Sequence, residues 1–239
     1  MVHQVQLDER LSLVYDLYDP CGLAADIGTD HAHLPAALLQ RGRCQHMILT
    51  DLSKSALLNA RNEIIRYRLL DRVSLRLGNG LDPVTEKCGV ISVTGMGGRT
   101  IREILLNGRH HLQDATLVLS AHTDLPLIRD ALCRIGYHLE REEPCFCAGR
   151  YYLVIRARPG RQTLSPREIR LGGPLFSSAS PQLIPYLSRR RDILCSSLQG
   201  LRSAEHHDQP LILQVQEDID FYEESIRKGK PSHECQADL

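Results

Sequence analysis

Residues 23–35 read Leu-Ala-Ala-Asp-Ile-Gly-Thr-Asp-His-Ala-His-Leu-Pro, an apolar run that ends in an acid, a glycine and a polar cluster. This order predicts a buried strand, a tight turn at Gly28 and the start of a helix. Glycine adopts backbone angles closed to other residues and lets a ligand approach the main chain, and the first N–H groups of a helix can bind an acceptor. The stretch therefore favours an open α/β sheet that holds a ligand at the carboxyl end of its first strand.

The single glycine of this turn discriminates between nucleotide-like ligands. A dinucleotide-binding turn reads G-x-G-x-x-G, whereas here one glycine lies between Asp26 and Asp30. Two carboxylates would repel a pyrophosphate, but they suit a ligand that carries hydroxyls and an amine or sulfonium cation. S-adenosylmethionine has all of these groups. In the alternative interpretation, Asp30 caps the helix and Asp26 only forms the turn.

Strand-like and helical patterns alternate through the first two thirds of the chain. After a helical segment at 5–18, apolar runs typical of strands occur at residues 23–27, 46–50, 73–77, 90–94 and 116–120. Helical patterns separate them, which indicates a parallel sheet with right-handed crossovers. Two further runs, 137–143 and 151–157, have no helix between them and predict a hairpin. The sequence therefore predicts that residues 1–160 form a seven-stranded, Rossmann-like α/β domain of the S-adenosylmethionine-dependent methyltransferase type.

Residues 161–239 are predicted to form a linker and a coiled-coil-like helical arm. The segment 162–180 is rich in glycine, proline and serine, and Ser180 followed by Pro181 predicts a capped helix start. From 184 to 201, and again from 212 to 226, seam residues recur at spacings of three and four. Two such seams joined by a short polar break predict an antiparallel helical hairpin.

Charge is unevenly distributed over this arm. Residues 158–204 hold eight Arg or Lys and two Asp or Glu, whereas residues 205–239 hold three and nine, and the whole chain has a formal net charge of zero. One interpretation is that the two helices pair through complementary charges. The other is that Arg189, Arg190 and Arg202 form a basic face for a phosphate backbone, while Arg191 lies in the apolar seam.

Composition narrows the class of protein. With 239 residues and 42% apolar residues, the chain can bury a core. It has no run of 18 apolar residues and no charged-then-apolar leader, so neither a membrane span nor a signal peptide is expected. Eight scattered cysteines without a C-x-x-C motif indicate the reduced cysteines of a cytoplasmic protein. No metal is expected, because Cys145 and Cys147 lack a second pair and residues two apart on a helix, such as His31 and His33, do not share a face.

Polar and glycine-rich segments follow the predicted strands. Asp51 ends the second strand, 23 positions after Gly28, where an acid binds the ribose hydroxyls of a nucleotide cofactor. The side chain of Asn79 can contact an adenine edge. The segment 95–98, Gly-Met-Gly-Gly, either exposes backbone to a planar substrate or only lets the next helix pack tightly. An Asn/Asp-Pro-Pro-aromatic segment, which grips exocyclic amines, is missing there, and this favours methylation of a ring nitrogen.

The segments 26–35, 78–81, 95–98 and 172–175 resemble, in the same order, those of the bacterial tRNA (adenine(22)-N(1))-methyltransferase family. The resemblance extends from Arg10 to the arm. It implies methyl transfer from S-adenosylmethionine to N1 of an adenine in the D-arm region of tRNA. One departure concerns the end of the fifth strand, where members of that family often carry Gln-Pro-Asn and this chain has Ser120, Ala121 and His122.

The resemblance also implies roles for individual residues. Asp30 and His31 are expected to orient the target base and to balance the positive charge that forms on it. The residues expected to bind the cofactor are Arg10, Asp26, Gly28, Asp51, Leu52, Asn79, Gly80, Leu81, Gly95 and Met96. Those expected to contact the tRNA are Gly97, Gly98, His122, Arg189, Arg190 and Arg202. The alternative functions are a non-catalytic RNA- or protein-binding module that keeps the fold and a small-molecule methyltransferase, and the oligomeric state stays open.

Overall fold

A seven-stranded sheet forms the centre of the first of two units into which the chain divides, Met1–Ser178 and Ala179–Leu239. The computed structural model describes residues 4–173, 178–204 and 208–229. The strands are β1 Cys21–Ile27, β2 Cys44–Asp51, β3 Val73–Leu77, β4 Val90–Thr94, β5 Thr116–Ala121, β6 Tyr137–Cys147 and β7 Arg150–Pro159. They lie in the order β3-β2-β1-β4-β5-β7-β6, in which only the pairings of β7 are antiparallel. The predicted fold class is confirmed.

In the first unit the helices are α1 Glu9–Asp16, α2 His33–Gln40, α3 Lys54–Arg66, α4 Gly98–Asn107, α5 Leu125–Arg134 and α6 Pro166–Leu171. Helices α2, α3 and α4 connect successive parallel strands, whereas β3 leads to β4 without a helix. The Ser53 hydroxyl accepts a hydrogen bond from the N–H of Ala56 and caps α3, as its position before the helical pattern predicts. Strand β5 is buried along its whole length, and so is β4 except at Thr94. The core therefore lies along the central strands, as in sheets that are covered on both faces.

The hairpin at the sheet edge is tighter than predicted. Strands β6 and β7 extend to a two-residue turn at Ala148 and Gly149, which have φ angles of 48° and 79°. Two positive φ angles are typical of the turn that matches the twist of a hairpin. Pro144 lies inside β6 rather than in a connection. An edge strand tolerates proline because one side of its backbone has no strand to bond.

The segment predicted as a linker contains α6, which packs against α5. Ser165 and Glu168 form a reciprocal capping box, and Pro166 occupies the first turn. The buried guanidinium of Arg129 donates to the carbonyls of Ile169 and Arg170, and its Nε lies 2.7 Å from the Glu142 carboxylate on β6. The linker prediction is thus wrong for this helix. The domain boundary after residue 160 stays a prediction, and residues 174–175 of the fourth resembling segment lie outside the described residues.

The second unit is a pair of helices, α7 Leu183–Ser203 and α8 Gln209–Gly229. Leu198 packs with Ile212, Val215 and Ile219, and the backbone of Gly229 lies against Ile184, so the helices run antiparallel. The predicted hairpin is confirmed, but α7 starts after Gln182, and the Ser180 hydroxyl accepts from the N–H of Gln182 in the preceding turn. No helix among the described residues has the length and apolar character of a membrane span.

Candidate active site

A chain of buried hydroxyls and one carboxyl group lies beneath the turn that follows β1. Asp26 on β1 faces Ser92 on β4, and the Ser92 hydroxyl donates to Asp26 Oδ1 at 2.5 Å. Tyr18 donates to Ser92 at 2.8 Å, and Thr29 donates to Asp26 Oδ2 at 2.6 Å. None of the four is more than 5% exposed. Burial raises the pKa of Asp26, against the lowering effect of these hydroxyls and of the Arg10 charge.

Both carboxylate oxygens of Asp26 therefore accept bonds from the protein, and the side chain fixes the turn above it. A ligand contact for Asp26 stays a prediction. The turn itself is closed by β2, because the N–H groups of Gly28 and Thr29 donate to the carbonyl of Thr50 at 2.8 and 3.0 Å. Gly28 has φ +77°, and a Cβ built there would lie 1.9 Å from the terminal methyl of Met96. The turn thus requires glycine for its conformation, and also because a side chain at this position would clash with Met96.

A cleft of about 800 Å³, counting its open mouth, lies at the carboxyl ends of β1, β2 and β3. Its internal volume of about 260 Å³ is just below the range of roughly 300–1,000 Å³ that is typical of small-molecule sites. Seven of the predicted cofactor residues line it: Gly28, Asp51, Leu52, Asn79, Gly80, Leu81 and Met96. The other three, Arg10, Asp26 and Gly95, are outside the lining. The structure thus brings together loops that are up to 68 positions apart in the sequence.

Hydrogen bonds hold the loops around this cleft. The Asp51 carboxylate accepts from the N–H of Ser53 at 2.7 Å, and the N–H of Gly78 donates to the Asp51 carbonyl at 3.0 Å. The Thr50 hydroxyl donates to the carbonyl of Gly80 at 3.2 Å. Asp51 is half-buried. Its carboxylate is therefore fixed at the edge of the cleft, where an acceptor of ligand hydroxyls is expected.

One wall of the cleft was not predicted. Thr100, Glu103, Ile104 and Asn107 line it from α4. Residues three, four and seven apart lie on one face of a helix, so the spacing of these side chains was the available signal. The prediction covered only the glycine-containing loop at 95–98, whereas α4 itself also faces the cleft.

The glycines at the start of α4 and in the loop before it differ in their surroundings. A Cβ on Gly98 would lie 2.6 Å from the carbonyl oxygens of Thr123 and Asp124, and the N–H of Gly98 donates to the Thr123 carbonyl. This favours the tight-packing interpretation for Gly98. A Cβ on Gly97 would contact only the Thr123 hydroxyl, at 3.3 Å. A Cβ on Gly95, which has φ +77°, would face open space. A substrate contact at Gly97 or Gly98 stays a prediction.

An exposed carboxylate and an imidazole lie side by side just after the turn. Asp30 Oδ2 is 3.4 Å from His31 Nε2, and the side chains are 52% and 69% exposed. The amide of Asn59 on α3 donates to Asp30 Oδ1 at 3.0 Å. The alternative in which Asp30 caps the helix is wrong, since α2 is preceded by Ala32 and has no side-chain cap. Asn59 was not predicted.

Ala32 changes the relation between the two neighbouring histidines. It has a left-handed φ of 52°, and the rings of His31 and His33 stack with centroids 5.8 Å apart. The prediction that His31 and His33 do not share a face is wrong, because it places both on a helix and only His33 belongs to α2. His33 lies 3.6 Å from Glu63 on α3. Within the described ranges, no three His, Cys, Asp or Glu side chains converge as metal ligands.

Two rings and one guanidinium group connect the end of β5 with α1. The Arg10 guanidinium lies 5.4 Å over the Tyr152 ring, and the edge of this ring meets His122 at 5.6 Å. His122 is exposed. Arg10 Nη1 and the Ser120 hydroxyl are buried and have no hydrogen-bond partner among the described residues. Arg10 and His122 thus flank one aromatic side chain, Tyr152, that was not predicted.

The arm places its arginines differently from the prediction. Arg189 is exposed, and Arg202 Nη2 donates to Gln216 at 3.1 Å. Arg190 is half-buried and hydrogen-bonds the buried Tyr222, so its expected position on an open basic face is wrong. A tyrosine hydroxyl inside the seam can accept a hydrogen bond from the guanidinium, while the apolar part of the arginine side chain packs against the seam. Arg191, expected in the seam, instead pairs with Asp192 at 2.6 Å.

Comparison with known proteins gives a consistent set of similarities. A family model described as a methyltransferase domain matches residues 7–155. The tRNA (adenine(22)-N(1))-methyltransferase of Bacillus subtilis (strain 168) is 26% identical over 193 residues, which cover 80% of this chain and 79% of that protein. A candidate tRNA (m1A22) methyltransferase of Streptococcus pneumoniae, solved with S-adenosyl-L-methionine, has a TM-score of 0.80 and 25% identity over 92% of this chain and 100% of that chain. M. capricolum TrmK with S-adenosyl-homocysteine has a TM-score of 0.78 and 25% identity, and covers 92% and 98%.

Proposed function

This chain belongs to the methyltransferase domain family, and we propose that it transfers a methyl group from S-adenosylmethionine to N1 of an adenine in the D-arm region of tRNA. One observation carries the proposal. The turn at Gly28 lines a ligand cleft, and an exposed carboxylate–imidazole pair follows two and three residues further along the same loop. The position within tRNA follows the similar B. subtilis enzyme, which acts on adenine 22.

The residues around the cleft fit S-adenosylmethionine, which supplies a methyl group activated on a sulfonium. Asp51 at the end of β2 can accept bonds from the ribose hydroxyls, and Asn79 offers both a donor and an acceptor to the adenine edge. Arg10 Nη1, buried without a described partner, suits the carboxylate of the methionine part. The acids at 26, 30 and 51 favour a ligand that carries a sulfonium and an amine.

Methylation of a ring nitrogen needs little activation of the nucleophile. N1 of an unpaired adenine offers its lone pair directly, so the protein must position the base in line with the methyl group. A positive charge develops on the base, and the Asp30 carboxylate can stabilise it. His31 lies beside Asp30 and can orient the ring. A paired or stacked adenine must first leave the stack.

The exposure of this pair discriminates between the alternative functions. A small-molecule methyltransferase would enclose its acceptor, whereas the Asp30 and His31 side chains are 52% and 69% exposed. A non-catalytic module has no need of the cleft, the turn glycine and the carboxylates together. The tRNA interpretation explains both the open mouth and the retained cleft.

The activity test uses two transcripts of one tRNA, with adenosine or guanosine at position 22. The protein is incubated with each transcript and methyl-labelled S-adenosylmethionine, and the tRNA is digested to nucleosides. We expect label in 1-methyladenosine for the adenosine transcript alone. Label in neither transcript, or equal label in both, would contradict the proposed function.

The cofactor role of Asp51 is tested by Asp51→Ala. Loss of an acceptor for the ribose hydroxyls should weaken S-adenosylmethionine binding by about 1–3 kcal/mol, measured by titration calorimetry. Asp71→Ala is the matched control, since Asp71 is exposed and outside the cleft lining. Equal affinities of the two variants would show that Asp51 does not hold the cofactor.

The role of Asp30 is tested by separating turnover from binding. Asp30→Ala should lower kcat by about 100-fold, a typical loss for one electrostatic group at a transition state, whereas the Kd for S-adenosylmethionine should stay within about twofold. Single-turnover methylation and calorimetry measure the two quantities. A parallel loss of affinity and turnover would make Asp30 a cofactor or structural residue instead.

The arm is tested through the salt dependence of tRNA binding. If Arg189 and Arg202 contact phosphates, replacing both by Gln should weaken binding and flatten the slope of log Kd against log salt by about one unit for each contact. Arg190→Gln is unsuitable, because Arg190 packs with Tyr222. Unchanged tRNA affinity in the double variant would favour pairing of these charges within the hairpin.

A further inference from the structure

Helix α3 supports the loop of the exposed pair at two positions one turn apart. Asn59 Nδ2 donates to Asp30 Oδ1 at 3.0 Å, and four residues later Glu63 lies 3.6 Å from His33. Both side chains project from a firmly held helix, since the neighbouring Ala60 and Ile64 are fully buried. The loop is therefore attached to a rigid element on either side of Ala32.

The loop has little rigidity of its own at this point. Ala32 takes a left-handed φ of 52°, a conformation that costs energy in a residue with a Cβ. No side chain caps the following helix. Contacts from another element must therefore hold the loop in this conformation, and the described contacts of Asp30 and His33 with α3 do so.

We propose that Asn59 is a positioning residue for methyl transfer, which holds the Asp30 carboxylate in the orientation that the target base requires. This inference rests on the proposed function of Asp30. The amide bonds Oδ1, while Oδ2 lies toward His31. One oxygen is thereby fixed to the scaffold, and the other lies beside His31 on an exposed side chain that the base can reach.

The chemistry of an amide suits this position. A lysine or arginine at 59 would also donate to Asp30, but its charge would offset the carboxylate that must balance the cation on the base. An aspartate would repel Asp30. Asparagine donates a hydrogen bond and leaves the negative charge of Asp30 available.

The test compares matched substitutions at two asparagines of α3. Asn59→Leu keeps the size of the side chain and removes the donor, and Asn59→Asp replaces the donor by a like charge. Asn62→Leu and Asn62→Asp are the controls, because Asn62 is exposed on the same helix three residues further on. We expect kcat to fall about 10- to 100-fold in the Asn59 variants, as for a small misplacement of a reacting group, and to stay unchanged in the controls.

Two further measurements separate positioning from a structural effect. The Kd for S-adenosylmethionine and the Tm should be alike for Asn59→Leu and Asn62→Leu, so that only turnover differs. In the Asp30→Ala background, Asn59→Leu should cause no further loss of kcat, since the group that it positions is gone. Additive losses, or equal kcat for the Asn59 and Asn62 variants, overturn the inference. In these cases the unsubstituted protein still methylates the tRNA. If the proposed function itself is wrong, the unsubstituted protein does not methylate it.

Discussion

The hydrogen bond between Asp26 and Ser92 joins the two strands at which the order of the sheet reverses. From β1 the sheet continues through β2 and β3, and from β4 through β5 in the other direction. In open α/β sheets ligands bind at this reversal, outside the carboxyl ends of the strands. The same carboxyl group accepts from Thr29 and so fixes the turn that carries Gly28. Register, turn and cleft therefore depend on one buried side chain.

This arrangement has an electrostatic cost that depends on pH. Because burial raises the pKa of Asp26, the folded chain retains this proton to a higher pH than the unfolded chain does. The contribution of Asp26 to stability is therefore greatest below the ordinary pKa of an aspartate, and it falls as the pH rises through the raised value. Hydrogen bonds from Ser92 and Thr29 and the charge of Arg10 limit the loss. A cationic ligand in the adjacent cleft would favour the ionised form further.

Features that depend on neighbours in sequence could be predicted, and those that depend on distant partners could not. The bounds of β3 and β4 agree with the predicted ranges, because residue periodicity and flanking turn residues define them. The lining of the cleft by Asp51 and Asn79 followed from their places at strand ends. Nothing near Arg190 in the sequence shows that Tyr222 accepts its guanidinium. Likewise, Asn59 reaches Asp30 only because α3 packs beside the turn.

Three aspartates around one turn illustrate how burial divides roles among identical side chains. Asp26 is buried and accepts from two hydroxyls, so it organises the backbone. Asp51 is half-buried at the cleft edge, where it suits neutral hydroxyls of a ligand. Asp30 is exposed and accepts a hydrogen bond from a neutral amide, so its charge is available for the cation that the proposed reaction forms. Environments that differ in this way give carboxyl groups different chemistry within one site.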